Sequence, residues 1–517
     1  MTLRAYDWLA GHAARSPNKT AMVDLHTGRS FTYAESNERV GRLAWYLRHE
    51  LNVEPGDRIA VLCNNSTDVF EMQFACAKLG AVFLPLNWRL TVSELEFIMS
   101  DASPKVMIHD VEFADEAAQL KELCKVQVLV DRNGDGEGSG YELGITGAQG
   151  TVEAVELAHD DLFTIMYTSG TTGLPKGAMI THGMIFWNGV NVGNVARVTK
   201  DSVNLCVLPT FHTGALNVYA NPVFLAGGTV AVMRQFDPRE TLELLTKPEV
   251  AGITHFLGVP ANFLFMRQLP EFEQSDFSHL TTLGIGAAPC PVELLKDWSA
   301  RGGLMQQSYG MTETGPIVLV LDSESAIEKV GSTGLPVMHT EVRLVDENGK
   351  DVTDPDQVGE VWARGPNVTS GYWNRPDATA DSFEGDWLKS GDAARRDADG
   401  YYYIVDRWKD MYISGGENVY PTEVENVLYQ LPQIAEVAVV GFPDEMWGEV
   451  GAAVIVLKEG EELSESDVIG HCESRLARFK QPRLVQFSDE LPHNATGKLL
   501  KRVLRAGLIE QKNKVEV

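Results

Sequence analysis

The sequence predicts an α/β protein with a large N-terminal domain of several subdomains and a small α+β C-terminal domain. Apolar, strand-like runs alternate with helix-spaced segments along most of the chain, and such alternation favours parallel sheets covered by helices. A length of 517 residues exceeds what one core sustains and suggests roughly two to four folding units. After Arg407 the pattern restarts as a helix, two strands and a helix, in a segment of ordinary domain size.

Taken in order, Glu35 to Leu51 places Val40, Leu43, Ala44 and Leu47 on one helical face, and RIAVLC at 58–63 reads as a short buried strand. TVSE at 91–94 has the spacing of a capping box and opens a helix with Leu95, Ile98 and Met99 inward. Strands are expected at Lys105 to His109 and Val126 to Val130, and the Gly-rich, charged RNGDGEGSG at 132–140 suits a loop. Leu162 to Met166 reads as a strand, and AMITHGMIFWNGV from Ala178 onward has helical spacing. LCVLP, GTVAVM, ITHFLGVP and TTLGIGAAP then run as strands into loops, and in open α/β sheets ligands gather at such carboxyl ends. Beyond Arg407, Pro421 to Leu431 carries Val424, Val427, Leu428 and Leu431 on one helical face. EVAVVG and AAVIVL follow as strands, with a helix around Asp467 to Arg478.

With 44% hydrophobic and 22% charged residues, the composition is that of a globular protein. A net charge of −28 argues against nucleic acid or an anionic membrane surface as partner, since both reward Lys/Arg patches. The six cysteines are scattered, without CxxC or Cys/His ligand spacing, and read as reduced, mostly core residues. No apolar h-region opens the chain, and its most apolar long stretch, Val218 to Met233, is interrupted by Asn221, Pro222, Gly227 and Gly228. That falls short of the ~20 clean residues of a membrane span, and a cytoplasmic location is expected.

The strongest chemical signal is YTSGTTGLPKG at 167–177. Gly170, Gly173 and Gly177 admit close approach of a ligand to the backbone, while Thr168, Ser169, Thr171 and Thr172 add hydroxyl donors beside main-chain N–H groups. Such a loop can wrap a polyphosphate, and Lys176 adds a full charge at its edge. A Walker A loop is excluded, because that pattern needs Lys followed directly by Ser or Thr. A second signal is QSYGMTETGP at 307–316, where Tyr309 can stack on a purine, Thr312 can donate to a phosphate and Glu313 offers a hard oxygen to Mg²⁺. Other segments are less specific alone. GAAPCP at 286–291 suits a flat ring or a mere turn, and His212 in LPTFHTGALN suits a pocket or a structural histidine. Asp392 in WLKSGD and Arg407 in YYYIVDR fit a ribose or a surface ion pair, and Lys498 in TGKLL a site or solvent.

Together and in this order the motifs resemble those of the adenylate-forming superfamily. The chain is identified as a member of its AMP-forming acyl-CoA synthetases, over nearly its full length. The resemblance implies the adenylate-forming enzyme fold: an N-terminal domain, 1–408, holding ATP and the acid, and a mobile C-terminal domain, 409–517, hinged at Lys409. It implies ATP, Mg²⁺ and CoA. It assigns the loop from Thr168 to Gly173 and Lys176 to the phosphates, and Glu313 with Thr168 to the metal. Gly286, Ala287, Ala288 and Pro289 go with Tyr309 and Gly310 to the adenine side. Asp392 and Arg407 go to the ribose, with Ile404 beside the nucleotide. The acyl pocket falls to His212, Ala215, Asn217, Gly284, Gly286, Gly310 and Pro316, Asn217 being placed to meet a ring hydroxyl. Lys498 is the implied catalytic lysine, and Gly415, Gly416 and Trp447 border CoA.

Such an enzyme converts a carboxylate, a poor acyl donor, into a mixed anhydride with AMP, which leaves readily. Two anions have to meet, so preorganised cations are the largest expected catalytic term. Lys498, Lys176, Thr312 and Mg²⁺ on Glu313 fill those places, and no side-chain nucleophile is required. FHTGALN and GMTETGP resemble the 4-coumarate and feruloyl-CoA ligases, whereas GGENVYPTEVE and FMRQLPEF resemble fatty-acid CoA ligases. An aryl or hydroxycinnamic acid is expected. A medium- or long-chain fatty acid, or an acyl-AMP ligase serving a carrier protein, is the alternative. A homodimer is compatible with the sequence.

Overall fold

Two largely parallel sheets form the N-terminal body, as the alternation of strand and helix requires. The computed structural model describes residues 3–134, 138–168, 175–287, 290–407, 410–414, 417–444, 446–473, 475–493 and 499–515. The first sheet runs in the order Lys176–Thr181, Leu162–Thr168, Val82–Pro85, Arg58–Leu62, Val106–Asp110 and Val128–Arg132, parallel except for its edge hairpin. In the second, Met305–Gly310, Thr282–Ile285, His255–Gly258, Val203–Cys206, Thr229–Val232 and Thr20–Asp24 run parallel between antiparallel edges. An antiparallel layer from Glu341–Val345 to Tyr402–Arg407 follows. The last sheet joins Tyr412–Ser414, Glu417–Val419, Ile434–Asp444, Gly448–Leu457 and Leu484–Phe487, with the helix Lys501–Val515 beyond it.

Local chemistry accounts for the helix starts. Thr91 and Glu94 form the expected capping box of the helix Val92–Ala102. A second box, Thr32 with Glu35, starts the next-upstream amphipathic helix at Tyr33, two residues before the hydrophobic period alone places it. One expectation is corrected: Ala178 to Thr181 is strand, not helix. Ala178 and Ile180 are fully buried and alternate with outward neighbours, while Thr181 caps a helix that begins only at His182. The stretch 132–140 is likewise not all loop, since Arg132 ends a strand and Gly140 opens a helix.

The helix Thr67–Leu79 is buried on nearly every side, so each polar residue on it needs a partner. Asp68 Oδ2 accepts from Arg132 Nε at 2.7 Å, Glu71 accepts from Arg39 Nε at 2.6 Å and from the Tyr141 hydroxyl at 2.8 Å, and Lys78 pairs with Asp7. Gln73 donates to Asn221 Oδ1 at 2.8 Å, joining this helix to the wall of the candidate acyl pocket. Arg132, 1% exposed, bridges Asp68 and Asp110. Removing a cation from such a cluster leaves buried carboxylates short of charge. Arg132→Met is expected to lower stability by about 3–5 kcal/mol in urea unfolding; a loss under about 1 kcal/mol would show the cluster to be solvated.

Candidate active site

The edge hairpin of the first sheet carries the candidate phosphate loop. Thr168 lies opposite Lys176, and its hydroxyl donates to the Lys176 carbonyl at 3.5 Å. Ser169, Gly170, Thr171, Thr172 and Gly173 fall outside the described residues. The hairpin's outer edge is clasped by 371–373: Ala178 bridges to Tyr372, Met179 N–H donates to the Gly371 carbonyl at 3.1 Å, and Trp373 N–H to that of Gly177 at 2.8 Å. The Tyr372 ring thereby comes within 5.2 Å of the Lys176 ammonium.

Tyr372 also reaches the second motif, its hydroxyl donating to Glu313 Oε1 at 2.8 Å. Glu313 sits with Thr312 in a 3₁₀ turn, its side chain buried and its carbonyl accepting from Thr369 N–H at 2.7 Å. Burial pushes the Glu313 carboxyl pKa up, while the Tyr372 hydrogen bond and the Lys176 charge hold it back. Among the described residues no other side chain hydrogen-bonds to Glu313 Oε2. A buried carboxylate facing the Lys176 charge fits a hard divalent cation. Among the described residues, no group of three His, Cys, Asp or Glu could hold a metal.

Gly310 makes the next turn feasible, because a Cβ there would lie 1.8 Å from the Pro316 carbonyl oxygen. Only glycine lets the two backbones approach this closely, and Met311 N–H donates to that same carbonyl at 3.0 Å. Tyr309, one residue earlier, donates its hydroxyl to Asp392 Oδ2 at 2.6 Å. Asp392 pairs directly across the third sheet with Arg407, and Ile404 packs with Tyr309 against one cluster. Tyr309, Asp392 and Ile404, three nucleotide-side candidates, thus lie close together, with Arg407 in backbone register beside Asp392.

The strand Thr282–Ile285 delivers Gly284 and Gly286 to the other side of this cleft. A Cβ on Gly286 would meet Ser308 Oγ at 2.8 Å. Ala287 follows in the left-handed region at φ +68°, a strained choice for a residue with a Cβ; Ala288 and Pro289 fall outside the described residues. His212 closes the loop after Val203–Cys206. Its Nε2 is buried without a partner among the described residues, and burial, with Arg89 nearby, lowers its pKa to about 4. The ring is therefore neutral at pH 7. Ala215 and Asn217 stand on the π-helical segment Gly214–Ala220, a form that gathers at functional sites. The Asn217 amide is turned into its own segment: Nδ2 donates to Thr213 Oγ1 at 3.0 Å and Oδ1 accepts from Asn221 Nδ2 at 2.8 Å. The expected approach of Asn217 to a ring hydroxyl is therefore opposed by partners it already has.

In the C-terminal part, Lys409, Gly415, Gly416 and Lys498 fall outside the described residues. Trp447 lies under the Arg483 guanidinium, 5.0 Å from its ring centre, with a buried, unpartnered Nε1. Sequence reading missed Tyr372, which stands in TSGYWN with no motif and no spacing to Glu313. Only the fold joins them.

The model of the AMP-binding enzymes matches residues 9–373, and that of their C-terminal domain matches 423–498. The chain belongs to the AMP-binding enzyme family. A feruloyl-CoA synthase of Amycolatopsis sp. is 42% identical over 96% of this chain and 98% of its own. A long-chain-fatty-acid–CoA ligase of Mycobacterium tuberculosis is 38% identical over 96% and 97%. Among solved structures, ATP-bound MatB from Rhodopseudomonas palustris superposes with a TM-score of 0.90 at 31% identity, covering 97% of this chain and 99% of that one. This AMP-binding enzyme is an ATP-dependent, AMP-forming carboxylic acid–CoA ligase with the adenylate-forming fold. Among the described residues, no helix is long and apolar enough to cross a membrane.

The neutral His212 has a measurable cost. Above pH 6.5 its ring is neutral in both the folded and the unfolded chain. Between 6.5 and about 4 only the unfolded chain takes the proton, so stability falls as pH drops, by up to about 3 kcal/mol from this residue. His212→Gln is expected to flatten the decline of the urea midpoint between pH 7 and 5, and parallel pH profiles would contradict a buried, neutral ring.

Proposed function

We propose that this AMP-binding enzyme activates an aryl or hydroxycinnamic acid, such as ferulate or 4-coumarate, and delivers it to CoA. The observation that carries the reading is the meeting of Lys176, Tyr372 and Glu313 beside the Tyr309–Asp392 pair. It supports reading Lys176 as a phosphate-side cation, Glu313 as a metal-side carboxylate and the Tyr309–Asp392 pair as a nucleoside seat. The nature of the acid is supported by the feruloyl-CoA synthase relative and by the likeness of FHTGALN and GMTETGP to such ligases. The fatty-acid ligase relative keeps a chain acid as the second reading.

In the first step a carboxylate oxygen of the acid bonds to the α-phosphorus of ATP and the bond to pyrophosphate breaks. Asp392 and Arg407 hold the ribose hydroxyls and Tyr309 and Ile404 the adenine, so the α-phosphate is fixed before attack. Thr168, the loop 169–173 and Lys176 hold the departing phosphates, while Thr312 donates to the α-phosphate. Glu313 and Thr168 would hold Mg²⁺, which when bound offsets negative charge on the phosphates. Lys498 supplies a cation at the joining oxygens. His212, neutral, lines the acyl cleft without adding a charge that would compete for the carboxylate. In the second step the CoA sulfur bonds to the acyl carbon, the bond to AMP breaks, and the thiol proton leaves to solvent. This step requires Lys498 to withdraw, so the unit 409–517 turns about Lys409, with Gly415, Gly416 and Trp447 bordering the incoming thiol arm. A cytoplasmic setting belongs to this reading and rests on six cysteines without disulfides. A homodimer is compatible with it.

A pyrophosphate-release screen over cinnamic, benzoic and C4 to C16 acids tests the acid, and hydroxamate trapping with and without CoA separates CoA from a carrier protein as acceptor. Lys498→Ala is expected to abolish pyrophosphate release while sparing much of thioester formation from synthetic acyl-AMP; equal loss of both steps would make the lysine structural. Lys409→Pro is expected to slow thioester formation more than pyrophosphate release, and equal slowing would count against a pivot there.

A further inference from the structure

The inner end of the acyl cleft holds two polar groups that the reaction above does not use. Ala215 and Tyr219 stand four residues apart on the π-helical segment Gly214–Ala220, with His212 just before it. Ala215 and Tyr219 line one narrow void with Gly214 and Leu257. The Tyr219 ring is buried, and its hydroxyl would lie 2.4 Å from a Cβ on Gly284. Gly284 is therefore required by the tyrosine, whose hydroxyl has no hydrogen-bond partner among the described residues. Gln306 is the parallel register partner of Gly284, and register partners project to the same face of a sheet. Its Cβ thus points to the side on which Tyr219 lies. Gln306 Nε2 donates to the Val195 carbonyl at 3.5 Å, which fixes the orientation of the amide because a carbonyl can only accept. Gln306 Oε1 is left buried without a partner among the described residues.

We propose that Tyr219 and Gln306 form a recognition site for a phenolic hydroxyl at the far end of the substrate acid. A phenol donates one hydrogen bond and accepts another. Donation to Gln306 Oε1 and acceptance from the Tyr219 hydroxyl would satisfy both buried groups at once. A hydrocarbon tail satisfies neither, and sites with buried polar groups discriminate strongly against analogues that leave them unpaired. Aliphatic neighbours Val192, Val218, Leu257 and Ile317 surround the tyrosine and exclude water, which sharpens the penalty for a missing partner.

This inference rests on the ligase reading of the cleft, and one experiment separates the two. The ratio of kcat/KM for 4-hydroxycinnamate to that for cinnamate is measured for the wild type, Tyr219→Phe and Gln306→Leu, with decanoate as the chain acid. The wild-type ratio is expected to be about 10 to 100, and Tyr219→Phe, which keeps the ring and its packing, is expected to lower it about tenfold. Gln306→Leu is expected to do the same. Wild-type preference for decanoate, or a ratio that stays within about twofold in both variants, would overturn the hydroxyl site and leave the ligase standing. Absence of pyrophosphate release with every acid would overturn both.

Discussion

The hydrogen bond from Tyr372 to Glu313 holds the site together. It places a carboxylate in a buried position, where an anion is costly unless something positive or proton-donating faces it. The same tyrosine bridges to Ala178 on the edge hairpin and lies within cation–π range of Lys176. One aromatic side chain thereby sets the distance between the candidate phosphate loop and the candidate metal ligand. The chain carries a net charge of −28 and its co-substrates are polyanions. Attraction has to be local, and burial makes it so, because charges in a protein interior are screened far less than those at the surface.

The sequence was most legible where chemistry and local geometry coincide. The strands after 200 were readable from short apolar runs and the Thr91–Glu94 box from its spacing, and the candidate nucleotide-side residues were proposed because they cluster in short motifs. Gly310 was legible as part of a motif, though the clash with the Pro316 carbonyl that forbids any Cβ was not. What failed was long-range. Tyr309 and Asp392 are separated by 83 residues and Glu313 and Tyr372 by 59, and no period or spacing connects them. Ala178 to Thr181 looked helical because the apolar residues there continue the pattern of the following helix, and pairing with Leu162–Thr168 overrode it. Thr20–Asp24 was invisible as part of the second sheet, since its partner Thr229–Val232 lies far along the chain.

The acyl side shows a division of labour between committed and uncommitted polar groups. Asn217, Asn221 and Gln73 satisfy one another in a chain of amides that ends on the most buried helix of the molecule. Their job is to hold the π-helical wall in place. Asn188 adds to this by donating to the Asn217 carbonyl at 2.6 Å. Against that fixed wall, an unpaired hydroxyl or amide oxygen stands out as an opening for something that is not protein.

Asp406 sits beside Arg407 at the end of its strand. It accepts from Thr422 N–H at 2.9 Å and from the Thr422 hydroxyl at 3.2 Å, and lies 3.7 Å from the Lys501 ammonium, which also meets Glu425 at 2.9 Å. Thr422 and Lys501 flank the C-terminal unit that the family model matches at 423–498. If that unit swivels at the joint just past Arg407, Asp406 acts as a latch: its bonds must either travel with the strand end or snap open together. Motion governed by a latch has resting positions, and the tail of this enzyme would click between them rather than drift.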